Sequence, residues 1–163
     1  MPYTPTTPTL SLCAALAAYV QSQANLVAPD VVDWDFFRRF GDADDLAAGG
    51  ATVGRQVIFF PATYEWELEN RGQEEYTHHL YCRVAERYPD AGDPPKEWTG
   101  ARVDWVHSYI VKGLRFARGG PPAFNPFLLT LGASVEVYDA DKLVNAGKLF
   151  YALVELKFSE LVS

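Results

Sequence analysis

The chain has 163 residues and a formal net charge of −7, with 48% apolar and 21% charged residues. That length suits one domain, and the balance is that of a globular chain rather than a disordered tail. Fourteen basic against 21 acidic residues disfavour a protein that grips DNA phosphates across a broad face. An acidic wall, by contrast, lets DNA slide past without sticking.

Residues 1–8 carry three prolines and three threonines and predict a flexible N-terminal arm. Residues 9–163 are then one domain. Thr9 or Ser11 is expected to cap a helix running to about Ala24, with Leu12, Leu16 and Tyr19 or Val20 at helical spacing. Its apolar run from Leu10 to Val20 resembles a signal-peptide core. The first basic residue is Arg38, however, and Gln21, Ser22, Gln23 and Asn25 end the run far short of a membrane span. No membrane role is expected. Residues 30–40 are rich in β-branched and aromatic side chains and leave strand and helix both open. Residues 41–54 form a Gly/Ala/Asp stretch expected to be a flexible loop.

Arg55 to Glu69 reads as a strand. Val57 and Phe59 point one way and Ile58 and Phe60 the other, and Tyr64, Trp66 and Leu68 then alternate with Glu65, Glu67 and Glu69. Pro61 cannot donate to a ladder, so a bulge or an edge is expected there. Asn70-Arg71-Gly72 is a turn into a partner strand, Glu75 to Tyr88, with Tyr76, His78, Leu80, Cys82 and Val84 on one face. Thr99 is expected to cap a second helix to about Ala117, its stripe being Val103, Val106, Ile110 and Leu114. A third strand is expected over Leu128 to Asp139, a turn at Asn145-Ala146-Gly147, and a fourth strand over Leu149 to Glu160. The order implies an α+β fold. Its sheet is mainly antiparallel with four strands, or five if residues 30–40 add one, and two main helices pack on one face.

A search for chemistry finds little. The Gly-rich stretch 49–55 lacks the Lys-Ser/Thr and the following helix of a phosphate loop. His78 and His79 are neighbours and face opposite sides of a strand. His78 and Cys82 share a face but stand roughly 13 Å apart at strand rise, too far for one metal. His107 is isolated on the second helix. Asp42, Asp44 and Asp45 match a calcium loop only superficially. No nucleophile elbow occurs. The chain therefore reads as non-enzymatic, without a metal or cofactor. Cys13 and Cys82, each in an apolar pattern, read as buried free thiols of a reducing compartment, so synthesis in a cytoplasm is expected.

Charge is unevenly spread. Residues 99–126 hold Arg102, Lys112, Arg115 and Arg118 against Asp104 alone, three net positive charges on a chain otherwise strongly acidic. A basic helix on an acidic body suits a head-to-tail contact between identical subunits. Trp98, Phe124 and Phe127 fall in Pro/Gly-rich connections and are candidate interface anchors.

The layout of a helix, a strand Arg55–Pro61, its partner Tyr76–Val84, a second helix and a closing strand Lys148–Phe158 resembles the tail-terminator and tail-completion proteins of tailed bacteriophages. The resemblance rests on element order and strand texture over residues 9–160, and neither the 41–54 loop nor the 119–126 connection matches it. It implies a virion protein of the phage neck, made in the host cytoplasm. Such proteins form hexameric rings that cap the tail tube on one side and meet a connector or stopper on the other. Genome DNA passes through the ring without specific binding, and Glu65, Glu67 and Glu69 become candidates for an acidic lumen wall. A connector or stopper of the same neck is the first alternative. A small α+β enzyme or ligand-binding domain, using His78, His79 or Glu65, is the second.

Overall fold

Three long strands form the frame of the structure, a computed structural model that describes residues 7–24, 26, 30–34, 54–70, 72–115, 128–129, 135–136, 139–144 and 148–162. In chain order the elements are α1 (Pro8–Ala24), β1 (Val31–Asp33), β2 (Arg55–Asn70) and β3 (Gln73–Arg87). Helix α2 follows. It is α-helical over Lys96–Trp105, π-helical over Val106–Lys112 and α-helical again over Gly113–Arg115. The chain closes with β4 (Leu128–Leu129), β5 (Val135–Glu136), α3 (Ala140–Val144) and β6 (Leu149–Val162). The expected α+β class is what the structure shows. The sheet is mixed, because β1 runs parallel to β2 while the other pairs are antiparallel. Its order is β1-β2-β3-β6-β4, with β5 also on β6.

The period-2 pattern predicted which side chains share a face, and the ladder aligns those faces. Val57 pairs with Val84 and Phe59 with Cys82; Val84 continues to Ala152, Cys82 to Val154 and Leu80 to Leu156. These side chains share one face of the sheet and are buried together with Leu12, Leu16 and Val20 of α1 and Val106, Ile110 and Leu114 of α2. Both main helices therefore cover the same face. Fully burying a side chain such as Phe59 or Phe150 contributes about 1.5–3 kcal/mol. The opposite face is also closed over part of its length, since Ile58, Ala85 and Leu149 are all but inaccessible and Arg83 and His79, on the same face, are buried as well.

Several boundaries move. Helix α1 begins at Pro8, inside the expected arm, because proline's fixed φ and missing N–H suit a first turn. Ser11 N–H reaches the Thr7 carbonyl at 3.0 Å. Thr9 is therefore already helical, and its hydroxyl goes to His78 instead of capping. Helix α2 begins at Lys96, three residues before the expected Thr99 cap. Pro95 precedes it in extended conformation, and its carbonyl accepts from Trp98 and Thr99 N–H at 3.0 and 3.2 Å. Of the strand expected over Leu128 to Asp139, β4 and β5 are described, each pairing with β6, while 130–134 and 137–138 lie outside the described residues. Helix α3 was not expected. Asp139, read as a strand end, instead accepts Asp141 N–H on Oδ1 at 3.0 Å and Leu143 N–H on its carbonyl at 3.1 Å.

The middle of α2 is widened. A helix with i→i+5 bonds carries more residues per turn than 3.6, which keeps positions four apart, Val106, Ile110 and Leu114, on one buried line. Gly113 fits the return to α-helix, because a Cβ there would stand 3.0 Å from the Ser108 carbonyl oxygen. Pro61 behaves as its chemistry requires: β1 reaches only Gln56, Val57 and Ile58, and the register shifts directly after Pro61. Gly72, at φ 118°, makes the tight turn between Asn70 and Gln73, which pair. Of the loop expected over 41–54 only Gly54 is described, as a bend at φ 99°; the rest of it, the connection 119–126 and the turn at 145–147 lie outside the described residues. Among the described residues no helix is long and apolar enough to cross a membrane.

Candidate functional site

The densest polar and aromatic constellation stands where α2 crosses the opening of β2 and the end of β3. Arg55 and Glu86 are direct cross-strand partners in the ladder. Arg55 Nε donates to Glu86 Oε2 at 3.0 Å. Arg102, from α2, donates Nη2 to Glu86 Oε1 at 2.6 Å and Nη1 to the Trp98 carbonyl at 3.3 Å. One carboxylate is thus shared by two guanidinium groups. Each guanidinium also lies on an indole: Arg55 is 4.4 Å from the Trp105 ring centre and Arg102 4.2 Å from that of Trp98. Tyr88 meets Trp98 edge-on at 5.1 Å and Tyr109 meets Trp105 at 5.3 Å.

Helical spacing explains the line-up. Trp98, Arg102, Trp105 and Tyr109 recur at i, i+4, i+7 and i+11 and make one stripe of α2. Asp30 steadies the opening of β2 by accepting Arg55 N–H at 2.8 Å. All three charged side chains keep some exposure, 14% for Arg55, 12% for Glu86 and 20% for Arg102, so the excess positive charge is neither fully buried nor fully screened.

The structure therefore unites two of the candidate interface residues, Trp98 and Arg102, within their own chain. Trp98 is not in a loop: it occupies the first turn of α2 and packs against the main core. Lys112 is exposed on the π-helical stretch. Arg115 is the last residue of α2. Arg118, Phe124 and Phe127 lie outside the described residues. Glu65 and Glu67 are at alternate β2 positions opposite Thr77 and Glu75, and Glu69 falls at the register shift before Asn70. They occupy the far end of β2 from Arg55. Sequence reasoning did not single out Arg55, Glu86, Trp105, Tyr88 or Tyr109. The usable signal was the i, i+4, i+7, i+11 stripe of Trp, Arg, Trp and Tyr, which the search for an apolar stripe passed over.

The histidines separate as strand geometry demands. His78 is buried on the helix-covered face, its Nδ1 2.8 Å from Thr9 Oγ1. His79 faces the other way, with Nδ1 3.3 Å from Glu155 Oε1. His107 is exposed on α2. Cys13 and Cys82 are buried free thiols. Burial pushes Cys13 up to about 12 and Cys82 higher still, the neighbouring Cys13 adding to the effect. Neither is a ready thiolate. Burial lowers the Arg83 guanidinium from its usual value, with Tyr151 opposing the shift. Among the described residues no cluster of His, Cys, Asp and Glu has the make-up of a metal site. No protein-family model matches this chain, and no curated protein matches it at a significant level.

Proposed function

We propose that the chain is a structural subunit of a phage neck, a tail terminator that caps the tail tube as a ring and joins it to the head-proximal connector. The observation that carries this reading is the sheet's edge. Strand β2 is 16 residues long, yet β1 covers only Gln56, Val57 and Ile58 of it. Among the described residues, the edge from Phe59 to Asn70 has no strand beside it. An edge of that length is a liability to a monomer and a docking surface to a subunit that assembles with its own kind. The acidic residues Glu65, Glu67 and Glu69 lie along the same strand, and those that no neighbouring copy covers supply a wall that repels phosphates and lets DNA pass.

Sedimentation velocity of the purified full chain, with negative-stain imaging, tests the proposal. A closed ring of about six copies is the expected result. A chain that stays monomeric at all concentrations and caps no purified tail tubes overturns it.

A further inference from the structure

The two ends of the long hairpin differ in charge. The stretch 65–75, which spans the turn, holds Glu65, Glu67, Glu69, Glu74 and Glu75 against Arg71 alone. Glu67 and Glu75 are direct cross-strand partners, and like charges placed opposite one another destabilise a ladder. Cations supplied from outside the hairpin relieve that repulsion. At the other end of β2, roughly 50 Å away at strand rise, Arg55 and Arg102 share the single carboxylate of Glu86. Glu86 takes up Nε of Arg55, and among the described residues the two terminal nitrogens of Arg55 meet no acceptor. Nε of Arg102 is buried without a hydrogen-bond partner. The Arg55 guanidinium lies on the half-buried ring of Trp105, against which the half-buried ring of Tyr109 packs.

We infer that this arginine and tryptophan cluster is the docking site for the acidic β2–β3 hairpin of a second copy of the chain. A carboxylate of the incoming hairpin meets the terminal nitrogens of Arg55, in the end-on geometry that guanidinium and carboxylate favour. The aromatic rings supply the water-excluding surface around it, the residue types that dominate protein contacts. The exposed acids Glu97 and Asp104 border the cluster, so the attraction is local to the guanidinium and its rings. Because hairpin and cluster occupy opposite ends of one subunit, no chain satisfies its own site. The contact is head-to-tail, and it propagates until a ring closes. The inference rests on the proposed assembly and names the contact that builds it.

Two measurements on the full chain test it. In the first, chains carrying Ser108→Cys, an exposed position beside Tyr109, are mixed with chains carrying Glu67→Cys and mildly oxidised. The native cysteines are buried and stay out of the reaction. A disulfide dimer joining the two variant chains, formed at least tenfold more than in either chain alone, is expected. In the second, Glu67→Lys with Glu69→Lys is expected to lower self-association at least tenfold at low salt while circular dichroism and melting temperature stay near wild type. If wild type assembles but neither cross-linking nor charge reversal has an effect, the ring stands on another contact and this inference is overturned. If wild type never assembles, the inference falls together with the proposed function.

Discussion

The two ends of the β2–β3 hairpin use the same backbone ladder for opposite purposes. At the α2 end, Val57, Phe59, Cys82 and Val84 are sealed beneath two helices, and the charges that remain are organised: Arg55 and Arg102 share the carboxylate of Glu86, and each guanidinium lies on an indole. Toward the turn the ladder continues through Tyr76, opposite Glu160, and Glu75, opposite Leu161. There the described side chains from Glu74 to Thr77 are only half-buried, and acid stands opposite acid. Hydrogen bonding alone therefore does not distinguish the two ends. The difference lies in how much apolar area each end covers and whether its charges are matched within the chain.

The largest effect is expected at the sealed end. Phe150→Ala empties a fully buried position in the core between sheet and helices and should cost about 3–5 kcal/mol. Urea denaturation checks it; a cost below about 1 kcal/mol would dissolve the distinction between the two ends.

Next comes the shared carboxylate. Glu86→Gln removes the acceptor of two charge-assisted bonds and leaves two guanidinium groups facing one neutral amide, a loss of about 1–3 kcal/mol. Asp93→Asn is the matched control. Asp93 is fully exposed and stands 3.8 Å from Lys148 Nζ, so no measurable change is expected there. Equal effects at the two positions would mean that the cluster is an ordinary surface pair.

A smaller, pH-dependent effect belongs to the thiols. In the folded chain Cys13 is raised from 9.0 to about 12, and Cys82 is raised as well. Above pH 9 the unfolded chain gives up thiol protons that the folded chain retains. The stability is fully present below pH 9 and is lost as pH rises through about 12. The urea midpoint should fall over that interval, and the fall should be shallower in a Cys13→Ala, Cys82→Val variant. An unchanged slope would show that the thiols are not buried as described.

The smallest effect is expected toward the turn. Glu75→Gln removes the like charge opposite Glu67 and should stabilise the isolated subunit by about 0.2–1 kcal/mol at low salt, with the gain shrinking as salt rises. If the variant is destabilised instead, the acids of the hairpin are matched within the chain and the contrast between its ends is wrong.

Much of the architecture was legible from local pattern. The alternation in Val57, Ile58, Phe59 and Phe60 and in Phe150 through Phe158 announced strands and assigned their faces, because side-chain direction in a strand has a period of two whatever surrounds it. Leu12 and Leu16, and Val106, Ile110 and Leu114, marked the buried lines of both helices for the same kind of reason. Pro61 foretold the break beside it, since a missing donor is a property of the residue itself.

Tertiary structure decided what depends on partners distant in sequence. Thr9 looked like a cap, yet its hydroxyl is claimed by His78, 69 residues on. Asp139 looked like the end of a strand, but it caps α3 while its N–H binds the Tyr151 carbonyl. Ile58 pointed away from the helices and is nevertheless buried. Above all, Arg55, Glu86 and Arg102 are 47 residues apart at their extremes, and nothing local to any of them announces the other two. Residue chemistry and spacing specify a helix, a strand and the side each residue faces, because those follow from the backbone's own geometry. Which charge meets which ring follows from the packing of helix on sheet, and that exists only once the whole chain has folded.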